Sequence, residues 1–260
     1  MASRMFSGNF TRHIVQSLGK AIALGEYPQG EPLMAEAALC ESFDASRTVL
    51  REAVKMLTAK GMLDARPRRG TIVLPESHWN LSDPDILNWL LDRKGSLPII
   101  SEFADMRLAI EPAAAGLAAS NLTDENRQNL IAAIERMEAA ARGEDDHLDA
   151  DIAFHVGILE ASGNRFFWNM RHTIEVALRF SIRITNRHKG VDRASVEDHQ
   201  EILDYILAGD HQAAENQMRS LLLEAKTLLN KALDEEKIEN LNKVKPVKGP
   251  KLRCGSKIVY

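Results

Sequence analysis

The sequence predicts a mainly α chain in two parts: a small head of short helices closed by a β-hairpin, and an all-helical body. Three observations predict it. From residue 99 to 236 apolar residues recur at helical spacing and no alternating strand pattern occurs. Residues 36–60 divide into two short helical runs separated by a turn. Residues 62–65 and 71–74 alternate as two short strands around a tip that ends in glycine.

The head can be justified element by element. Ile14, Leu18 and Ile22 share one face of a first amphipathic helix, and Pro28 and Gly30 break the chain after it. A short helix over 36–41 turns Leu39 inward, and Phe43, Asp44 and Ala45 make the turn. Ser46 suits an N-cap, so a second helix runs from there to about residue 60. Val49, Leu50, Ala53, Val54 and Leu57 supply its apolar face, and Gly61 ends it in the C′ position. Arg47, Thr48, Arg51 and Lys55 lie toward its N-terminal half. Arg66, Pro67, Arg68, Arg69 and Gly70 form the hairpin tip.

That arrangement suits DNA. A major groove admits one helix, whose N-terminal residues face base edges. Arginine donates two hydrogen bonds to guanine, and threonine reaches bases or phosphates. Arginines at a hairpin tip fit a minor groove or a phosphate strand, and a glycine there lets the backbone approach closely. The plainer alternative is a solvated basic helix beside a hairpin. The charge distribution separates head from body: residues 1–75 carry 10 Lys and Arg against 7 Asp and Glu, residues 76–236 carry 16 against 29, and residues 237–260 carry 7 against 1. A net charge of −4 therefore hides a mildly basic head on an acidic body, and DNA attraction follows the local field.

Between them, residues 78–84 read as an extended linker and residues 86–91 as a short helix carrying Trp89. Helical segments follow near 99–120, 123–142, 145–162, 164–187, 192–208 and 210–236, with breaks at Gly163-Asn164, Gly190 and Gly209-Asp210. Thr123 ahead of Asp124 and Glu125 starts one of them well. The body is an all-helical bundle, and no internal repeat is evident. The division is 1–75 for the head, 76–98 for the linker, 99–236 for the bundle and 237–260 for a basic, aperiodic tail read as disordered, or alternatively as a DNA-clamping arm.

At 260 residues and 45% apolar content, the chain has enough hydrophobic material for two domains. No apolar run of 18 residues occurs, so no membrane span is expected, and the N-terminus lacks an apolar signal core. Cys40 and Cys254 lie far apart, and Cys40 reads as a core residue, which fits a cytoplasmic location.

One constellation in the bundle carries chemistry. Asp151 and His155 are spaced i, i+4 on a face that also carries Leu148, Ile158 and Leu159. A carboxylate there is costly to bury unless paired or metal-bound. His199 sits between Val196 and Leu203 in the same manner. One carboxylate and two imidazoles suit zinc or another divalent transition metal. A buried Asp–His hydrogen bond beside an unrelated core histidine is the alternative. Arg107 lies on the stripe Phe103, Arg107, Ile110, Ala114, and a buried guanidinium needs an anion. Glu111, Glu102 or a carboxylate ligand can supply it. Arg179 and Arg183 are candidates to line the same cavity, or else a solvated stripe.

The run PLMAEAALCESFDASRTVLREAVKMLTAKGMLDARPRRGTIV resembles the winged helix-turn-helix of the GntR superfamily, FadR-type. The resemblance implies that Ser46, Arg47, Thr48, Arg51, Arg69 and Gly70 read an operator, while Ala37 stands where the family carries an arginine. Residues 99–236 resemble the FCD ligand-binding domain through MRLAIEPAAAGLAA, DADIAFH and EDHQEILDYILAGDHQAAENQM. It implies a zinc- or nickel-like metal on Asp151, His155 and His199, with Leu221 in place of a fourth, histidine ligand. Water or the effector would complete such a site. It also implies an effector site of Arg107, Asp151, His155, Arg179, Arg183 and His199 for a small carboxylate. The WNLSDPDILNW segment is similar to the sugar-acid-responsive branch. The implied protein is a homodimeric bacterial repressor on a pseudo-palindromic operator, not an enzyme. The alternatives are a metal-dependent enzyme using Asp151, His155 and His199, or a non-specific basic DNA-binding protein.

Overall fold

The computed structural model describes residues 2–66, 70–189 and 195–243. It is mainly α, as the hydrophobic period predicts. α1 (Ala2–Ala23), α2 (Glu36–Ser42) and α3 (Arg47–Ala59) precede a hairpin of β1 (Leu63–Arg66) and β2 (Gly70–Val73). The strands pair antiparallel with Leu63 opposite Val73 and Arg66 opposite Gly70, one residue from the expected bounds. The segment before α2 joins the hairpin: Leu33 N–H donates to Thr71 O at 2.8 Å and Val73 N–H to Glu31 O at 3.0 Å.

The expected cap forms, since the Ser46 hydroxyl accepts from Val49 N–H. Asp44 takes the left-handed conformation in the α2–α3 turn (φ 48°), which a short polar side chain tolerates. One apolar core collects Ile14, Leu18 and Ile22 of α1, Leu50, Ala53 and Leu57 of α3, and Met62, Leu63 and Val73 of the hairpin.

The stretch expected to be an extended linker is instead packed down on this core. Trp79 is buried, and its indole N–H donates to Leu74 O at 2.9 Å. α4 (Pro84–Leu91) follows, capped by Asp83, and places Ile86, Trp89 and Leu90 in the head core. Leu87 and Leu91 of the same helix enter the body's core. Trp79 ahead of α4 and Trp89 within it bring more apolar surface than a solvated linker could leave exposed.

The body is built from α5 (Leu97–Asn121), α6 (Asp124–Ala141), α7 (His147–Ala161), α8 (Arg165–Asn169), α9 (Arg171–Lys189), α10 (Val196–Ala208) and α11 (His211–Lys243). Thr123, Asp146, Asn164 and Ser195 cap α6, α7, α8 and α10 through their side chains. Gly209 ends α10 in the left-handed conformation. Two expectations change. The single helix over 164–187 is two, because the chain tightens at Met170 with its N–H on Phe167 O. The last helix runs on to Lys243 instead of stopping near 236. The tail from 244, including Cys254, lies outside the described residues. α7 packs against α5, α6 and α9 at the centre of the bundle, and α11 lies along α5.

Gly61 shows how closely the linker is seated. It has φ 79°, and a Cβ there would lie 2.2 Å from His78 O. Gly61→Ala is predicted to cost more than ~2 kcal/mol, from left-handed strain of about 1–2 kcal/mol plus steric displacement of about 1–3 kcal/mol. Gly25→Ala is the control, because φ is 84° but nothing lies within 4 Å. Its cost should be only ~1 kcal/mol. Urea denaturation of both variants checks this, and equal costs would contradict the close seating.

Candidate functional site

α7 carries Asp151 and His155 one turn apart on its inward face, α10 contributes His199, and α5 contributes Arg107 and Glu111, all buried. His155 Nε2 and His199 Nε2 lie 3.2 and 3.4 Å from the same Asp151 Oδ1. Among the described residues, Asp151 Oδ1 and His199 Nε2 are the buried side-chain atoms left without a well-formed hydrogen bond. One ligand atom from each of the three residues falls within 4.8 Å of the others.

Other groups orient the two imidazoles. His199 Nδ1 lies 2.7 Å from Ser195 O, so Nδ1–H donates to that carbonyl and Nε2 presents its lone pair inward. His155 Nδ1 lies 2.7 Å from Glu111 Oε2, so its Nδ1–H donates to that carboxylate. This is the carboxylate–histidine arrangement that fixes a metal ligand's tautomer and ring. The ring of Phe154 meets both imidazoles edge-on, at centroid distances of 6.0 and 5.1 Å, and closes one side with hydrocarbon. The donor set of two imidazole nitrogens and one carboxylate oxygen fits a zinc-like ion. Among the described residues the chain offers three ligand atoms at this place, and Leu221 is a partly buried residue packed on the body's core.

The sequence alone offers Glu111 only as one of two carboxylates able to pair with Arg107. Glu111 is the link between the two halves of the site. It accepts from Arg107 Nε at 2.5 Å and Nη2 at 3.1 Å, and from His155. Arg107 Nη2 also lies 3.3 and 3.4 Å from the two ring nitrogens of His155. The signal was present in the i, i+4 spacing of Arg107 and Glu111. The contact with His155, 44 positions beyond Glu111, was not legible.

Burial acts to raise the Glu111 carboxyl, but the charges of Arg107 and His155 and their hydrogen bonds outweigh it and hold it at about 2. Burial likewise works against the Asp151 carboxylate, and the two imidazoles override it, so Asp151 stays ionised well below the usual range. Burial acts to lower His155; the charge of Glu111 leads the opposing effects and raises it on balance.

Two expected members stand apart. Arg179 does not join the cluster: Nη1 pairs with Asp149 at 2.7 Å and Nη2 with Glu175 at 3.4 Å, in a half-exposed bridge between α7 and α9. Arg183 falls within α9, with its side chain outside the described residues.

In the head, Arg47, Thr48, Arg51 and Lys55 are exposed along α3. Arg51 Nε donates to Glu36 Oε2 of α2 at 3.0 Å, an exposed bridge that water or phosphate can replace. Gly70 is exposed at φ 81° with nothing within 4 Å of a Cβ position. Arg69 lies outside the described residues.

Residues 10–73 match the profile described as bacterial regulatory proteins, gntR family, and residues 102–224 match the FCD domain. The chain is 35% identical over 219 residues to the HTH-type transcriptional regulator YieP of Escherichia coli strain K12, covering 82% of this chain and 93% of that protein. It is 33% identical over 218 residues to the galactonate operon transcriptional repressor of the same organism, covering 80% of this chain and 91% of that protein. A solved structure of Lar, described as controlling the Listeria monocytogenes agr system, superposes with a TM-score of 0.53 at 21% identity, covering 85% of this chain and 96% of that one. At that identity the likeness concerns the fold alone. Among the described residues no helix is long and apolar enough to cross a membrane.

The buried charges generate a pH dependence. Glu111→Gln leaves the Arg107 guanidinium uncompensated, so in chelator-treated protein it should cost about 3–5 kcal/mol near neutral pH. The folded value of about 2 lies below the ordinary 4.5, so the stabilisation is present above 4.5 and lost as pH falls through 2. His155 is raised above 6.5, so its share is complete below 6.5 and lost as pH rises through its folded value. The difference between wild type and variant should therefore be largest between 4.5 and 6.5 and shrink toward pH 2. Urea melts across that range measure it; a difference that grows on acidification would refute the assignment.

Proposed function

The chain belongs to the gntR family of bacterial regulatory proteins, carries an FCD domain and is a transcription regulator rather than an enzyme, and from that premise we propose that it is a repressor released from its operator by a sugar acid bound at the Arg107–Asp151–His155–His199 cluster. Regulators of this family bind operator DNA and small effectors, typically as dimers. A cytoplasmic location follows from acting on the chromosome. The observation that carries the reading is the pair of buried atoms without a well-formed hydrogen bond, Asp151 Oδ1 and His199 Nε2, in a cluster whose third member, His155, lies against the Arg107 guanidinium.

Asp151, His155 and His199 would hold a divalent ion, and a bound ion would supply a Lewis-acid anchor for carboxylate and hydroxyl oxygens of the effector. The charges favour an anion in that state. Arg107, Glu111 and Asp151 sum to one negative charge when the imidazoles are neutral. A dication makes the group net positive, so a monocarboxylate restores neutrality. Arg107 keeps Nη1 free of Glu111 and can donate from it to a carboxylate. A relative named for a galactonate operon supports a hexonate as the effector class.

On DNA, Arg47, Thr48 and Arg51 would enter the major groove behind the Ser46 cap, with Arg69 and Gly70 at the hairpin tip. Two heads of a homodimer would meet the two half-sites of a pseudo-palindromic operator. The effector shifts the population only through differential affinity for the two head arrangements.

Two measurements test this. In a gel shift with the chain's own upstream region, Arg47→Ala with Arg51→Ala should weaken binding at least about 30-fold, since each groove-facing arginine is worth about 1–3 kcal/mol. Unchanged binding would remove the groove assignment. In thermal shift, zinc followed by D-galactonate should raise the melting temperature of the wild type, because a ligand of the folded state stabilises it. Asp151→Asn or His199→Ala should remove the zinc-dependent rise. A galactonate response that survives both substitutions without metal would retain the regulator and dismiss the ion.

A further inference from the structure

The stretch from Glu76 to Arg93 is held by directional bonds that run to the head. Asn80 N–H donates to Lys60 O, and Trp79 Nε1–H to Leu74 O. Lys60, at the C-terminus of α3, reaches both carboxylates at the start of α4: Nζ lies 2.7 and 2.6 Å from the oxygens of Asp83 and 2.8 Å from Asp85 Oδ2. Its side chain is only 13% exposed and its ammonium sits 5.9 Å over the Trp89 ring. This lysine stands among the basic residues of α3, yet it faces the linker and not solvent.

α1 holds the other side of α4. Gln16 Nε2 donates to Asp85 Oδ1 at 2.8 Å, and Trp89 Nε1–H donates to Gln16 Oε1 at 3.0 Å. Gly19 leaves a notch for the Trp89 ring, since a Cβ there would lie 2.3 Å from it. Past the helix, Arg93 donates to Ala23 O at 2.8 Å and to Glu76 at 3.0 Å, and Lys20 pairs with Asp92 at 2.7 Å.

α4 also packs along α9 of the body, about as extensively as along α1, but that contact has a different character. Leu87 and Leu91 enter its core, and Ile99 of α5 packs against both cores. Among the described residues one side-chain hydrogen bond crosses to α9, from Thr173 to Ser82 O. Apolar contact is non-directional and permits sliding, whereas short charge-assisted bonds fix an orientation. The first joint beyond the bonded stretch is Gly95, exposed, at φ 77°, with nothing within 4 Å of a Cβ.

We propose that the DNA-binding head extends through Arg93, that α4 is an integral helix of it, and that Lys60 is the positioning residue that fixes the recognition helix α3 to α4. The unit turns as one body about Gly95, over the apolar seam of Leu87, Leu91 and Ile99. Ile99 leads along one stripe of α5, through Phe103, to Arg107 and Glu111, so a shift at the cluster bears directly on the seam. The inference rests on the regulator reading only for what moves the head, and its test requires neither operator nor effector.

The test is hydrogen exchange by mass spectrometry on the full chain. Lys60→Met should speed exchange at least tenfold in 50–60 and in 84–91 together, while 103–121 and 171–180 stay within twofold of wild type. Residues 94–98 should exchange faster than 84–91 in every form. Should Lys60→Met not fold, Asp85→Asn removes one arm of the clamp and should produce the same pattern at about threefold. The proposal is overturned if 84–91 keeps its protection while 50–60 loosens, if it loosens together with α5 and α9, or if 94–98 is as protected as α4.

Discussion

Everything in the body is arranged around a charge cluster that cannot be buried in parts. Arg107, Glu111, Asp151 and His155 are each almost wholly inside. An isolated ion there would cost several kcal/mol, so each must meet its partner in good geometry. Glu111 makes that possible by serving Arg107 and His155 at once. The requirement sets how α5 approaches α7, and the shared oxygen of Asp151 sets where α10 must bring His199. The Phe154 ring lies against both imidazoles and supplies hydrocarbon beside these groups. Packing alone would accept several registers of helix on helix; the ion pairs accept few.

The same cluster is incomplete as a set of hydrogen bonds, and that incompleteness is where function enters. Ser195 O and Glu111 each occupy one nitrogen of an imidazole, which turns the other nitrogen of each ring toward Asp151. Buried polar atoms without partners are expensive in an apolar interior. A fold that keeps two of them together, in a cluster where a guanidinium lies against His155, is preorganised for something that accepts lone pairs and carries an anion.

The head obeys a different constraint. Its core is small, and α4 enlarges it with Ile86, Trp89 and Leu90. Small domains bury a lower fraction of their surface, so an added helix is a substantial gain. Lys60 makes that addition specific, because its ammonium satisfies two carboxylates at the N-terminus of α4 while closing the C-terminus of α3. The DNA-facing arginines are left outside this network, with Arg51 held only by an exposed carboxylate.

The sequence by itself determined the fold class, because periodicity of 3.6 and of 2 are local properties of apolar order. It determined the caps at Ser46 and Thr123 and the glycine stops at Gly61 and Gly209 by the same local chemistry. It also placed Asp151 and His155 on one face, since i, i+4 neighbours share a helix turn. What it could not determine is any relation carried by contacts distant in sequence. That Glu111 would bind His155, that Arg179 would bind Asp149 and not the cluster, and that the segment after Pro75 would lie against α1 and α3 were decided only when the helices packed. Those outcomes depend on which side chains share a desolvated volume, and the tertiary structure alone sets where those volumes lie.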